Sequence, residues 1–518
     1  MTLVQPPFPL QRSTPWLATA LSKPLAALML SAWAAALAVI VCGAKWTYSI
    51  VLIGTTVFPL MLYMSRNPRL LLLMGLVFTA PLGLSVNFLM STDHMGGAPA
   101  ISISLCDFFM VPLLAFLLRD RVLGYRPKLR LSELSPWWLG LMALGACDVL
   151  QGPLHRFPAF ELLQMLKCWL LFLVISNECV RQRQFEQVML ALVANVILNL
   201  LVAAAQFTVK HNLGLQSLGE ASEEATQIAN HGVYLNAAAT YRVGGLLGHP
   251  NLFGPYLALL LPILTALVFT SYGRKLRWLF ALTAICGCGM LILTLSRSSW
   301  FGFATAMLAL LLVLWCHPVQ RNRFGGWKLA MLAGGAIGVL SVAGTIMTRL
   351  TASDPGALDF RRTWVDIAWR MVQARPLLGF GLNTFVHQFA PYSLYSFAGL
   401  VEEFGSSWPT VHNIYMLVWA EQGTIGLLLL VGFMAQLLRI GLGNMRAAPS
   451  DKLLMLDVGA LCGLLAIAID GMASYFIRVP ACGRTYFLIA GLVVAVRHWN
   501  QRNGNPEVNL KLGVRPCK

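Results

Sequence analysis

A histidine, an asparagine and two glycines form the first pattern in this chain that could support chemistry. His412 and Asn413 are separated by nine residues from Gly423, and Gly426 follows three positions later. An imidazole has an ordinary pKa of about 6.5, so His412 is a natural general base near neutral pH. Asn413 could orient that imidazole or cap a helix. On position alone, a structural role for His412 is as well supported as a catalytic one.

Arginines form the second group of candidates. Arg242 and Arg297 stand at the ends of apolar stretches, whereas Arg361 and Arg362 lie within a long polar stretch. A guanidinium suits phosphate because its planar fork donates two parallel hydrogen bonds. Arg297 has no acidic residue near it in sequence, which favours an anionic ligand. Arg362 can instead form a helical ion pair with the carboxylate four residues later, so a structural role stays open for it.

The third candidate is the glycine-rich stretch YRVGGLLGHPNLFGPY at residues 241–256. Its glycines allow a sharp turn or a close approach of backbone to a ligand. Pro250 suits the first turn of a helix, and the free N–H groups of such a turn favour phosphate. His249 could contact a substrate, with Asn251 supporting it, although capping or packing is the commoner role of a histidine so placed.

Composition indicates what must position these residues. Of 518 residues, 57% are hydrophobic and only 11% are charged, whereas a soluble domain carries roughly 25% charged residues. Disordered, coiled-coil and disulfide-rich classes are excluded. An all-α polytopic membrane protein is predicted, because helices satisfy their own backbone hydrogen bonds in lipid. The net charge of +17 requires no nucleic acid, since cytoplasmic loops of membrane proteins collect Lys and Arg.

Apolar runs of about 20 residues predict about 14 transmembrane helices. Their centres lie near Ala34, Thr55, Leu76, Val111, Leu141, Trp169, Ala194, Leu260, Thr283, Met307, Gly335, Leu427, Leu464 and Ile489. With a cytoplasmic N-terminus, the segments assigned to the inside carry about twice as many Lys and Arg residues as those outside. Both termini are therefore predicted to be cytoplasmic, in a multi-pass protein of a bacterial inner membrane.

The predicted organisation has three groups of helices and two long periplasmic loops. Transmembrane helices occupy 1–207, 249–348 and 412–499, the loops occupy 208–248 and 349–411, and a cytoplasmic tail occupies 500–518. Within the second loop, Phe360, Trp364, Ile367, Ala368 and Met371 repeat at helical spacing. This spacing predicts an amphipathic helix lying in the membrane interface.

Four stretches together resemble the O-antigen ligase and Wzy-type polymerase superfamily of bacterial membrane glycosyltransferases. They are RVGGLLGHPNLFGPY from Arg242, LTLSRSSW from Leu293, RRTWVDIAWRMVQARPLLGFGLNTF from Arg361, and VHNIYMLVWAEQGTIG from Val411. The last contains an H-N-x9-G-x-x-G pattern similar to that of the ligases.

The resemblance implies a donor glycan on undecaprenyl diphosphate and an acceptor that is lipid A-core or another lipid-linked glycan. It further implies that His412 is the catalytic base and that Arg242, Arg297 and one loop arginine bind the diphosphate. Because the family places a Trp four positions after its loop arginine and this chain places Trp364 differently, the choice between Arg361 and Arg362 is open. No metal or cofactor is expected, since arginine would supply the positive charge.

Two other classes of protein fit parts of the pattern. A secondary transporter could use Lys167 with Asp107 or Asp470 as an ion relay, although the chain lacks two related halves. A lipid-linked glycan flippase would share the anionic lipid substrate, although it would not need His412 at an outer boundary. Solute uptake in vesicles and glycan transfer in detergent separate these alternatives.

Overall fold

The computed structural model describes residues 62, 65–91, 96–124, 129–151, 154–223, 234–235, 238–239, 241–341, 343–344, 347–348, 355–394, 410–447 and 450–503. Most of them belong to one compact unit, Leu72–His498. A second unit comprises Met1–Leu71 and Trp499–Lys518, of which residues 62, 65–71 and 499–503 are described.

Helices dominate the described residues. They are α1 Pro68–Thr79, α2 Leu105–Val122, α3 Ser135–Gln151, α4 Arg156–Glu178, α5 Gln182–Val209, α6 Pro250–Val268, α7 Arg274–Leu293, α8 Arg297–Cys316, α9 Gly325–Ser341, α10 Pro355–Ala374, α11 Phe385–Gln388, α12 Ile414–Ala447, α13 Asp451–Asp470 and α14 Pro480–Asn503. Twelve of the predicted span centres lie in these helices. The other two, Ala34 and Thr55, lie outside the described residues.

Eight of these helices are long and apolar enough to cross a membrane, namely α4, α5, α6, α7, α8, α12, α13 and α14. The prediction of an α-helical multi-pass membrane protein is therefore confirmed. The enclosure of these helices differs: 89% of the apolar window of α6 is buried, against 28% for α8. Thus α6 lies inside the bundle, and α8 presents an apolar face outward.

Two short antiparallel hairpins were not predicted. In the first, β1 (Ser85–Phe88) pairs with β2 (Ile101–Ser104) between α1 and α2. In the second, β3 (Tyr234–Leu235) pairs with β4 (Ala238–Ala239). The first hairpin matters for the site because its second strand follows a segment, Gly96–Ala98, that packs against Thr410 and Asn383.

Helix α13 packs backbone to backbone against α6. A β-carbon at Gly459 would lie 2.6 Å from the Cα of Ile263, and one at Gly463 would overlap the carbonyl oxygen of Leu259. Two glycines four residues apart lie on one face of a helix, and small residues at this spacing let two helix backbones approach closely. The close contact fixes the C-terminal end of α13 relative to the N-terminal end of α6.

Helix α10 is the predicted amphipathic helix, but its apolar face is covered by protein. Trp364, Ile367, Ala368 and Met371 are buried. The Trp364 ring meets that of Phe389 edge-on, with centroids 4.9 Å apart. This face packs against α12 and the short turn of 3-10 helix at Ala390–Tyr392, so it is covered by protein rather than lipid. The expectation that the helix lies in the membrane interface stays a prediction.

Helix α12 is interrupted at Gly423, whose φ of 65° and ψ of −169° are not helical. In a continuous helix the carbonyls of Ala420 and Glu421 would accept from the amides four residues later. Here they accept instead from Phe380 N at 3.1 Å and Gly381 N at 2.7 Å. The amide of Thr424 donates to the carbonyl of Pro376 at 2.8 Å. The turn at residues 376–381 thus replaces part of the hydrogen bonding of α12, which explains why glycine is needed at position 423.

Candidate functional site

His412 lies immediately before α12, where the chain enters the helix bundle. Its Nδ1 lies 3.1 Å from the carbonyl oxygen of Thr410. A carbonyl can only accept, so Nδ1 carries the proton and Nε2 presents its lone pair. Burial, followed by the guanidinium of Arg361, lowers the pKa of His412 to about 4. The imidazole is therefore uncharged at neutral pH, which is the state a general base needs.

The start of α12 is fixed by local hydrogen bonds. The Asn413 side chain accepts from the backbone N–H groups of Tyr415 at 3.0 Å and Met416 at 3.1 Å. Of the two roles predicted for Asn413, the structure supports helix capping. The amide of Ile414 donates to the carbonyl of Gly471 at 2.9 Å, which ties this end of α12 to the end of α13.

Arg242 is buried, with 6% of its surface exposed. Its Nε donates to the carbonyl of Thr294 at 2.8 Å, and its Nη2 donates to Oδ1 of Asn251 at 2.6 Å. These bonds hold the guanidinium between the N-terminal end of α6 and the turn that joins α7 to α8. A cavity of about 10 Å³ lies beside it, lined by residues that include Tyr241 and Gly248.

His249 caps α6. Its Nδ1 accepts from the backbone N–H of Asn251 at 3.0 Å, and Pro250 follows in the first turn, as the sequence predicts. Burial lowers the pKa of His249 to about 3, and the Arg242 guanidinium and the His412 imidazole, when it is protonated, act in the same direction. The hydrogen bond from Arg242 to Asn251, in the first turn of α6, places the capped end of this helix beside the buried arginine.

The two loop arginines differ in burial and in their electrostatic effect on the other candidates. Arg361 acts electrostatically on His412 and on Asp470 at the C-terminal end of α13. Arg361 is partly buried, whereas Arg362 is exposed. Burial and electrostatics therefore favour Arg361 over Arg362, a choice that the sequence leaves open.

Arg297 is the first residue of α8 and is partly buried. Two positions later, the Ser299 hydroxyl donates to Oδ1 of Asp470 at 3.1 Å. Asp470 is completely buried. Since Arg242 bonds to Thr294 just before this turn, Arg242 and Arg297 belong to the same end of the bundle as His412.

Asp470 has different partners from those that an ion relay with Lys167 would require. Lys167 pairs with Asp107 at 2.7 Å and also bonds to the carbonyl of Ser102, whereas Asp470 bonds to Ser299. The relay through Asp470 is therefore wrong. In the sequence, serines flank Arg297 on both sides. These hydroxyl donors are the feature that could have indicated a buried acceptor, Asp470, near that arginine.

Fold and site together define a multi-pass helical membrane protein with arginines and histidines gathered at one end of its bundle. Residues 282–431 match the Wzy_C family, described as O-antigen ligase. This part of the chain is similar to the O-antigen ligase family, which confirms the resemblance to the ligase and polymerase superfamily. The matched segment includes Arg297, Arg361 and His412, whereas Arg242 and His249 precede it. No curated protein matches the chain.

Proposed function

We propose that the protein transfers a glycan from undecaprenyl diphosphate to an acceptor hydroxyl at the periplasmic face of a bacterial inner membrane. The observation that carries the proposal is the convergence of His412, His249, Arg242 and Arg361 at one end of the bundle. An uncharged imidazole at the same end of the bundle as a buried and a partly buried guanidinium group suits a reaction in which a hydroxyl loses its proton and a diphosphate leaves.

In the proposed step, the acceptor oxygen attacks C1 of the donor sugar and the bond from C1 to the diphosphate oxygen breaks. The acceptor proton passes to Nε2 of His412, and the electron pair of the broken bond stays on the lipid diphosphate. A single displacement of this kind inverts the anomeric centre. The acceptor is lipid A-core in a ligase or a second lipid-linked glycan in a polymerase.

Negative charge grows on the diphosphate as the bond breaks. Arg242, Arg297 and Arg361 would stabilise that charge more strongly in the transition state than in the bound substrate, which lowers the barrier. Asn251 and the Thr294 carbonyl hold the Arg242 guanidinium in place beforehand. Such preorganised groups need no reorientation during the reaction, and the proposal requires no metal because the arginines supply the charge.

The experiment measures transfer by purified protein in detergent, with an undecaprenyl-diphosphate-linked glycan as donor. His412→Ala should abolish transfer while the protein elutes normally on gel filtration. Arg242→Ala and Arg361→Gln should each slow transfer by about 10²–10³, the usual effect of removing one such contact. Arg370→Gln is the matched control, because Arg370 lies on the exposed face of the same helix as Arg361.

Full activity of His412→Ala would refute the proposed base. Equal losses in Arg361→Gln and Arg370→Gln would refute the assignment of Arg361, and a loss confined to Arg362→Gln would transfer that role to Arg362. A flippase would form no product in detergent with any variant, and a transporter would show solute uptake in vesicles without transfer.

A further inference from the structure

The segment Gly96–Ala98 lies against the residue that accepts the proton of His412 Nδ1. Gly96 has a φ of +92°, and a β-carbon added there would overlap the side chain of Thr410. The carbonyl of the same Thr410 accepts from His412 at 3.1 Å. This segment precedes the O-antigen ligase match by almost two hundred residues of sequence. It nevertheless contacts Thr410, which is two residues before the candidate base His412.

Buried side chains hold the segment in place. The amide of Ala98 donates to Oε2 of Glu161 at 2.7 Å. The Asn383 side chain donates to the carbonyls of Ala98 and Phe157, each at 3.0 Å. Gly97 has no room for a β-carbon, because that atom would overlap the Asn383 amide. The segment is therefore clamped on both sides, by α4 and by the turn that precedes α11.

A buried cluster of three charges supports this clamp. Arg478 Nη2 lies 2.8 Å from Oε2 of Glu421, and Arg478 Nε lies 3.5 Å from Oε1 of Glu161. Oε1 of Glu421 accepts from the amide of Phe385 at 3.1 Å. Since a buried charge that loses its partner is costly, such a cluster resists displacement. Glu161 and the turn around Asn383 thus belong to one rigid network.

We propose that Gly96–Ala98, clamped by Glu161 and Asn383, positions His412 for glycan transfer. The proposal rests on the proposed function of His412 as the base. Thr410 cannot move toward the segment, so its carbonyl stays directed at Nδ1 and the imidazole stays turned with Nε2 toward the acceptor. These are positioning residues, because their effect reaches the reaction only through Thr410 and His412.

The deciding variant is Gly96→Ala, whose new methyl group would push on Thr410. A misplacement of about 1 Å at a reacting group costs about 10²-fold, so we expect kcat to fall by about that factor. The KM for the lipid-linked donor should stay unchanged, because the variant does not touch the arginines. Gly124→Ala is the matched control: its φ is also positive, +71°, but its β-carbon would meet nothing within 4 Å.

A rescue separates positioning from general damage to the fold. Thr410→Gly removes all three side-chain atoms that the new methyl group would meet and keeps the carbonyl that His412 needs. The double variant Gly96→Ala/Thr410→Gly should therefore turn over faster than the two single effects predict, since directly contacting residues couple in a double-mutant cycle. Purely additive losses would overturn the proposal.

Turnover by Gly96→Ala equal to that of Gly124→Ala would also overturn it. Should Gly96→Ala fail to elute as folded protein, Asn383→Ala decides, since it removes both donors without adding bulk and should show the same fall in kcat at constant KM. A normal kcat in Asn383→Ala then refutes the proposal. Full activity of His412→Ala would refute the proposed function itself. If His412→Ala is inactive but Gly96→Ala is fully active, only the positioning role is refuted.

Discussion

Substitution of Gly423 by alanine tests the account of the interrupted helix α12. Position 423 has a φ of 65° and a ψ of −169°, a region that costs a residue with a β-carbon about 1–3 kcal/mol. The added carbon would also overlap the carbonyl of Leu377. Forcing extra volume into a packed site adds about 1–3 kcal/mol. We therefore expect the turn at residues 376–381 to lose about 3 kcal/mol of its docking free energy.

Hydrogen exchange measures this loss where it occurs. The amides of Phe380, Gly381 and Thr424 donate across the junction between the turn and α12. Since each 1.4 kcal/mol corresponds to about a factor of ten, a loss of about 3 kcal/mol should speed their exchange about 100-fold. Mass spectrometry of peptides covering residues 376–384 and of peptides covering Thr424 in detergent-solubilised protein reports the change.

Gly443→Ala is the control within the same helix. A β-carbon at this position would lie 3.5 Å from Nη1 of Arg497 in α14, which is ordinary van der Waals contact. Alanine is favoured over glycine inside a helix by about 0.5–1 kcal/mol, so this control should leave exchange at the junction unchanged. Exchange of the junction amides in Gly423→Ala within about threefold of the wild type would refute the reasoning.

Two further predictions concern charge. Burial and Arg361 lower the pKa of His412 to about 4, so the base stays uncharged and kcat/KM should hold on the acid side down to about pH 5, one unit above that pKa. Arg361→Gln removes a positive charge and raises the pKa of His412, so the acid limb of its pH profile should move to higher pH; an unmoved limb would contradict the coupling. Glu421→Ala leaves Arg478 with a weaker set of partners in the buried cluster, which should destabilise the protein by about 3–5 kcal/mol. Thermal unfolding in detergent measures this, and a melting temperature equal to the wild type would contradict it.

Hydropathy and spacing predicted much of the fold because they reflect local requirements. The twelve described span centres fall in helices, and the periodicity around Trp364 predicted α10. Capping by His249 and Asn413 also followed from neighbouring residues alone. What covers the apolar face of α10 did not follow, because the same stripe suits either lipid or protein.

The parts of the site that sequence could not predict depend on residues distant in the chain. The bond between Ser299 and Asp470 joins positions 171 residues apart, and that between Asn383 and Ala98 joins positions 285 apart. The interruption of α12 was also missed, since its partner is the turn at residues 376–381 rather than its own sequence. Choosing Arg361 over Arg362 required knowing which face of α10 packs against the protein, and the sequence alone does not give this.

The contact between α6 and α13 has a consequence for how the site tolerates change. Because Gly459 and Gly463 have no side chain, the backbones of the two helices touch there and no side chain holds them apart. A methyl group at Gly463 would act as a wedge between the two helices. Asp470 lies seven residues further along α13, about 10 Å at the rise of an α-helix. Pushing the helices apart at Gly463 would therefore increase the distance between the end of α13 that carries Asp470 and the end of α6 that carries His249. Two glycines in the middle of the bundle, which take no part in the chemistry, thus set the separation of the helix ends at which the reaction is proposed to occur.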